Sequence, residues 1–201
     1  MEKIDRLGWF CKNANVNLKL LPTVQNELYN LLLSECEINS QKVPVQIAVK
    51  SWDKFNAFCP ILVKFLELKK VSNYFKYLIF GINQNQNLPI HVDTFDNRAN
   101  LSEIALNIPV LNCADSYTVF YEAKPTNDYT LDYVSESYPE AARGHIYDSN
   151  SAIEIGRIDS NVPHWVNITF PHSAEVNHNL LRINSSIRFK PTIVDNILIN
   201  L

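Results

Sequence analysis

Between Tyr74 and Phe189 the chain breaks into short runs rich in β-branched and aromatic residues. They are YFKYLIFGI (74–82), LPIHVDT (88–94), EIALNIPVL (103–111), YTVFYEA (117–123), AIEIGRI (152–158), HWVNITF (164–170) and LLRINSSIRF (180–189). Clusters of Asn, Asp, Pro and Ser separate them. Many short strands at this spacing predict a mainly β fold, a sandwich or a barrel. That rhythm constrains the chain more than any other feature.

The residues before it read differently. Pro22 followed by TVQNELYNLLLSEC predicts a helix with Val24, Leu28, Leu31 and Leu32 on one side. KVPVQIAVKSW (42–52) alternates as a short strand, and PILVKFLELKKV (60–71) predicts a second helix with Ile61, Phe65 and Leu68 at helical spacing. The expectation is a single domain, in which residues 1–73 form a supporting region and residues 74–190 the β core. One stretch, 124–151, interrupts the strand rhythm and carries Asp128, Asp132, Glu136 and Glu140. Loops of this length are functional or disordered, so the segment is expected to be a lid, a substrate-facing insertion or a plain flexible loop.

At 201 residues, 46% of them hydrophobic, the chain has ample material for one packed core. A net charge of −3 gives no support for broad binding to nucleic acid or to an anionic membrane. No run approaches the roughly 18 apolar residues of a membrane span. Cys11, Cys36, Cys59 and Cys113 form no C-x-x-C pair, and MEKIDRLGWFCKNANVN lacks a basic start followed by an apolar run. Reduced thiols and a cytoplasmic setting are therefore expected. With 4 Gly in all and no G-x-G-x-x-G or Walker pattern, a phosphate loop is not expected.

The chemistry-bearing residues concentrate in two strands and one turn. In LPIHVDT, strand alternation puts His91 and Asp93 on one face, about 7 Å apart along the chain. A lone H-x-D reads as a carboxylate-oriented core histidine. His172 follows 172 − 91 = 81 residues later, and Arg182 comes 182 − 172 = 10 residues after that. The last strand carries Arg182, Asn184, Ser186 and Arg188 on its even positions, against Ile183, Ile187 and Phe189 on the odd ones. A polar face on a buried strand needs partners, and a planar guanidinium grips a carboxylate through two hydrogen bonds. Two imidazoles and one carboxylate make the facial triad of non-haem Fe(II) oxygenases. Three readings compete: His164 replacing His172 as ligand, an Arg182–Glu175 ion pair, and Arg188 as the anchor.

The order H-x-D, distal His, then Arg resembles the Fe(II)/2-oxoglutarate-dependent oxygenases, which are built on a double-stranded β-helix (jelly roll). The texture IHVDT … ALNIPVLNC … TVFYE … HWVNITFPHSAEVNHN … RINSSIRF is similar to that superfamily, most of all to its small microbial and viral members and the aspartyl/asparaginyl hydroxylase-like branch. The resemblance covers roughly residues 75–190. It implies that His91, Asp93 and His172 hold Fe(II) and that Arg182 pairs with the far carboxylate of 2-oxoglutarate. For the second anchor of that co-substrate it leaves Asn107, Tyr121, Asn184 and Ser186, with Asn167 and Arg98 as further candidates. The implied reaction consumes O₂, converts 2-oxoglutarate to succinate and CO₂, and hydroxylates a C–H bond of a peptide, protein side chain or small metabolite. A cupin-type metal isomerase and a catalytically silent jelly-roll binding protein are the alternatives.

Overall fold

The structure, a computed structural model, describes residues 11–17, 19–35, 46–84, 87–93, 104–130 and 144–189. Its strands are β1 (Cys11–Asn13), β2 (Gln46–Val49), β3 (Phe75–Gln84), β4 (His91–Asp93), β5 (Ile104–Leu111), β6 (Ser116–Glu122), β7 (Pro125–Thr130), β8 (Gly144–Tyr147), β9 (Ile153–Asp159), β10 (His164–Asn167), β11 (His172–Val176) and β12 (Leu181–Phe189). The helices are α1 (Leu21–Glu35), α2 (Trp52–Phe58) and α3 (Pro60–Leu68). Two six-stranded antiparallel sheets result, ordered β1-β10-β5-β12-β3-β2 and β7-β8-β4-β11-β6-β9.

The two faces of β12 explain the layering. Ile183, Ile187 and Phe189 join Leu106 and Ile108 of β5, Phe80 of β3 and Trp165 of β10 in one apolar cluster with Leu28, Leu31 and Leu32 of α1 and Leu62 and Leu66 of α3. This outer face of the first sheet is therefore the helix-packing face. Ser185, the polar exception on it, donates to the Ile108 carbonyl at 3.1 Å and so satisfies its buried hydroxyl. The opposite face of the first sheet looks towards the second sheet. There Ala105 and Val166 pack with Phe120 and Ile168.

Helix α1 buries Val24, Leu28, Leu31 and Leu32, the face its periodicity predicts. Helix α3 is rotated from expectation: it buries Leu62, Val63 and Leu66, while Leu68 is 75% exposed. The run HWVNITF is not one strand. Strand β10 stops at Asn167, whose Oδ1 accepts from the Thr169 backbone N–H and hydroxyl, turning the chain into β11. The stretch 124–151 likewise contributes structure at both ends, since β7 and β8 pair with each other and β8 pairs with β4. Its middle, with Asp132, Glu136 and Glu140, lies outside the described residues.

Candidate active site

The second sheet brings together two histidines that are distant in sequence. β11 pairs with β4 so that His172 stands directly opposite His91, with ring centroids 4.5 Å apart. Each Nδ1 lies 2.8 Å from the backbone carbonyl two residues earlier, Pro89 for His91 and Phe170 for His172. A carbonyl only accepts, so in each neutral ring Nδ1 carries the proton and Nε2 carries the lone pair. Such backbone anchoring fixes both the tautomer and the orientation of a metal-binding imidazole.

Asp93 follows on the same short strand, its backbone opposite Gly144. Its side chain lies outside the described ones. Among the described side chains no three of His, Cys, Asp or Glu converge, so a third ligand beside the two histidines would come from outside them. The two fixed Nε2 lone pairs on one face suit a divalent first-row metal. The described thiols do not compete: burial pushes Cys11 up to about 11 and also raises Cys59 and Cys113, so none of these three is a thiolate near neutrality.

Across the interior, Arg182 of β12 is buried, 3% exposed, and its Nε donates to the hydroxyl of Ser116 on β6 at 3.0 Å. Burial pulls its pKa below the usual arginine range, the mark of a desolvated cation. Among the described residues no carboxylate pairs with it. The ion pair with Glu175 does not form. Glu175 lies on the outer face of the second sheet and engages Arg157 at 3.3 Å and the Tyr121 hydroxyl at 3.1 Å. On the inner face of the first sheet, Asn184 stands two positions from Arg182, and the Ser186 hydroxyl donates to Asn107 Oδ1 at 2.7 Å across β12 and β5.

No family model matches the chain, and no curated protein matches it in sequence. Solved structures do match in shape. SnoK, a non-haem α-ketoglutarate-dependent carbocyclase from nogalamycin biosynthesis, superimposes with a TM-score of 0.52 at 12% identity, over 95% of this chain and 85% of that one. The epimerase SnoN of the same biosynthesis gives 0.53 at 11% identity, over 96% and 88%. HygX from Streptomyces hygroscopicus, solved with nickel and 2-oxoglutarate bound, gives 0.52 at 9%, over 90% and 82%. The fold is that of the non-haem iron, 2-oxoglutarate-dependent enzymes.

Within this double-stranded β-helix some expected residues fall away from the interior. Tyr121 is a correction: it neighbours Phe120, which faces His172, so alternation sends its ring to the outer face. Its hydroxyl bonds Ser173 and Glu175 there, and burial, with the Glu175 charge added, raises its pKa. Asn167 is occupied as the cap of the turn after β10. Arg188, the competing anchor, is buried. His164 belongs to the first sheet, not the His91–His172 sheet. His178 is half-buried, and both its ring nitrogens are bonded, to the Asn112 carbonyl and the Leu180 N–H. Arg98 lies outside the described residues. The residue that sequence reading missed is Ser116: nothing but its place before YTVFYEA distinguishes it from any turn serine.

Proposed function

We propose that the protein is an Fe(II)/2-oxoglutarate-dependent oxygenase acting on a C–H bond of a small molecule or peptide. One observation carries the reading: a cross-strand pair of backbone-anchored histidines in one sheet faces an interior that also receives a desolvated guanidinium, with no described carboxylate to neutralise it, from the other sheet. The fold shared with SnoK, SnoN and HygX supports it.

His91, His172 and Asp93 would hold the iron, which when bound supplies the oxygen activation that side chains cannot. The remaining work belongs to this chain. Arg182 offers its fork to the far carboxylate of 2-oxoglutarate, and that contact fixes how deep the co-substrate lies. Asn184, beside Arg182, and the Ser186–Asn107 pair give the inner wall of the first sheet the polar groups that orient a bound molecule. Burial of Arg182, Phe120 and Val166 keeps bulk water from the interior, which strengthens every electrostatic contact made there.

A second reading within the class is favoured by SnoK and SnoN, a carbocyclase and an epimerase: C–H cleavage that ends in ring closure or inversion instead of hydroxylation. Product analysis separates the two. The decisive experiment is anaerobic loading with Fe(II) followed by oxygen-dependent conversion of 2-oxoglutarate to succinate. Wild-type protein is expected to turn over. His172→Ala should lose metal affinity, and Arg182→Ala should weaken 2-oxoglutarate binding by about 100-fold, as when one partner of a buried charge pair is truncated. Absence of 2-oxoglutarate binding by the metal-loaded wild type would sink the reading.

A further inference from the structure

The turn joining β5 to β6 and the first residue of β6 hold Arg182 and its two neighbours at three points. Asn112 Nδ2 donates to the carbonyl of Leu181 at 2.8 Å, and Cys113 Sγ donates to the carbonyl of Ile183 at 3.1 Å. The backbone carbonyls of the residues on either side of Arg182 are thereby held. Ser116 provides the third point, accepting from Arg182 Nε at 3.0 Å while donating its own proton to the Cys113 carbonyl at 2.7 Å. The hydroxyl is thus committed in both directions and has one orientation open to it. Ser116 itself is 0% exposed.

The turn is built for this. Asn112 and Asp115 have φ of 49° and 52°, a left-handed conformation that short Asx side chains tolerate better than other non-glycine residues. Two left-handed residues so close together curl the chain back, which brings Asn112, Cys113 and Ser116 onto one neighbour. The turn is in turn clamped to the β11–β12 hairpin, because Asn177 N–H donates to the Asp115 carbonyl and the His178 ring bonds the Asn112 carbonyl.

We propose that Ser116 is a positioning residue for co-substrate binding: by taking Nε of Arg182 it fixes the plane of the guanidinium and reserves the two Nη groups for the far carboxylate of 2-oxoglutarate. This rests on the function proposed above. A guanidinium has five N–H donors in a rigid fork, so committing Nε sets the direction of the remaining four. Without that acceptor only the Cys113 thiol remains beside the buried guanidinium, and the ligand would have to complete its ordering, weakening binding.

The test is calorimetric titration of 2-oxoglutarate into the full-length protein loaded with Mn(II) under anaerobic conditions, with Mn(II) affinity and melting temperature measured in parallel. Ser116→Ala is expected to raise the 2-oxoglutarate Kd about tenfold, in line with a lost hydrogen bond to a charged group, while Mn(II) affinity stays at the wild-type value. In turnover, KM for 2-oxoglutarate should rise more than kcat falls. Ser116→Thr, which keeps the hydroxyl, should recover most of the affinity. In an Arg182→Lys background, where no Nε–H exists in the same place, Ser116→Ala should have little further effect. That cycle, run with Ser116→Cys should the alanine variant fail to fold, measures the coupling. Wild type that binds 2-oxoglutarate with Ser116→Ala binding equally well would overturn this inference alone. Equal losses of Mn(II) and 2-oxoglutarate affinity would also overturn it, by showing a merely structural serine. Wild type that binds no 2-oxoglutarate would overturn the proposed function instead.

Discussion

His164 shows how one residue type divides into different tasks through its surroundings. Like His91 and His172 it bonds a carbonyl two residues back, Val162 at 2.7 Å, and like His172 it follows a proline. It differs in sheet and in environment, for burial lowers its pKa more than the Val162 bond and the Asp159 charge raise it. A folded-state pKa below the ordinary value near 6.5 means that the unfolded chain takes up the proton first. The stability His164 contributes is therefore complete above that value and is lost as pH falls from it through the lower folded pKa. In metal-free protein, the unfolding free energy of wild type should drop more steeply between pH 7 and pH 5 than that of His164→Gln. Urea titrations at the two pH values measure this, and parallel slopes would show that the residue titrates alike in both states. Order along the sequence singled out His91, His172 and Arg182 as candidates. It could not place Tyr121, because a shift of one residue in phase moves a strand side chain to the other face.

Elements were legible where a single periodicity governed them. The buried positions of helix α1 were readable because Val24, Leu28, Leu31 and Leu32 form a single apolar stripe. Helix α3 was not, because it packs against both α1 and α2, and the winning face is set by that docking. Helix α2 was missed, its Ser51 cap being absorbed into the run read as a strand. The docking of α3 has an identifiable anchor. Its cap position, Cys59, makes no side-chain cap bond, and Pro60 follows with no N–H. Glu27 of α1 fills the gap, one carboxylate oxygen accepting from Ile61 N–H at 3.1 Å and the other from Leu62 N–H at 3.4 Å. A carboxylate at a helix N-terminus gains both the orphan donors and the dipole. Glu27→Ala should cost about 1–2 kcal/mol in chemical denaturation, within the range of lost caps, and Glu27→Gln about half of that. No change in either variant would mean that water replaces the carboxylate without loss.

At the scale of the whole molecule, the strand rhythm implied two sheets but not which side chains meet between them, because that depends on how the sheets stack, which no local pattern encodes. The candidate site is a product of the stacking. The histidine pair belongs to one sheet and Arg182 to the other, joined at the far end by the Ser116 hydroxyl. A ligand that touches both the metal position and Arg182 would bridge the layers, and so would stabilise the folded state through contacts that neither sheet makes alone. Binding only the native form stabilises it by RT ln(1 + [L]/Kd), about 2.7 kcal/mol at a hundredfold excess over Kd. For a chain of this length that amounts to roughly 5–10 °C in melting temperature. Mn(II) alone should raise the melting temperature, and 2-oxoglutarate should raise it further only when the metal is present. Arg182→Ala should keep the first increment and lose the second; His172→Ala should lose both. Stripping the metal with a chelator should return wild type to its starting value even with 2-oxoglutarate retained. The order dependence is the telling part: a co-substrate increment of full size without metal would mean that Arg182 binds carboxylates independently of the histidines, and the two halves of the site would then be neighbours rather than parts of one centre.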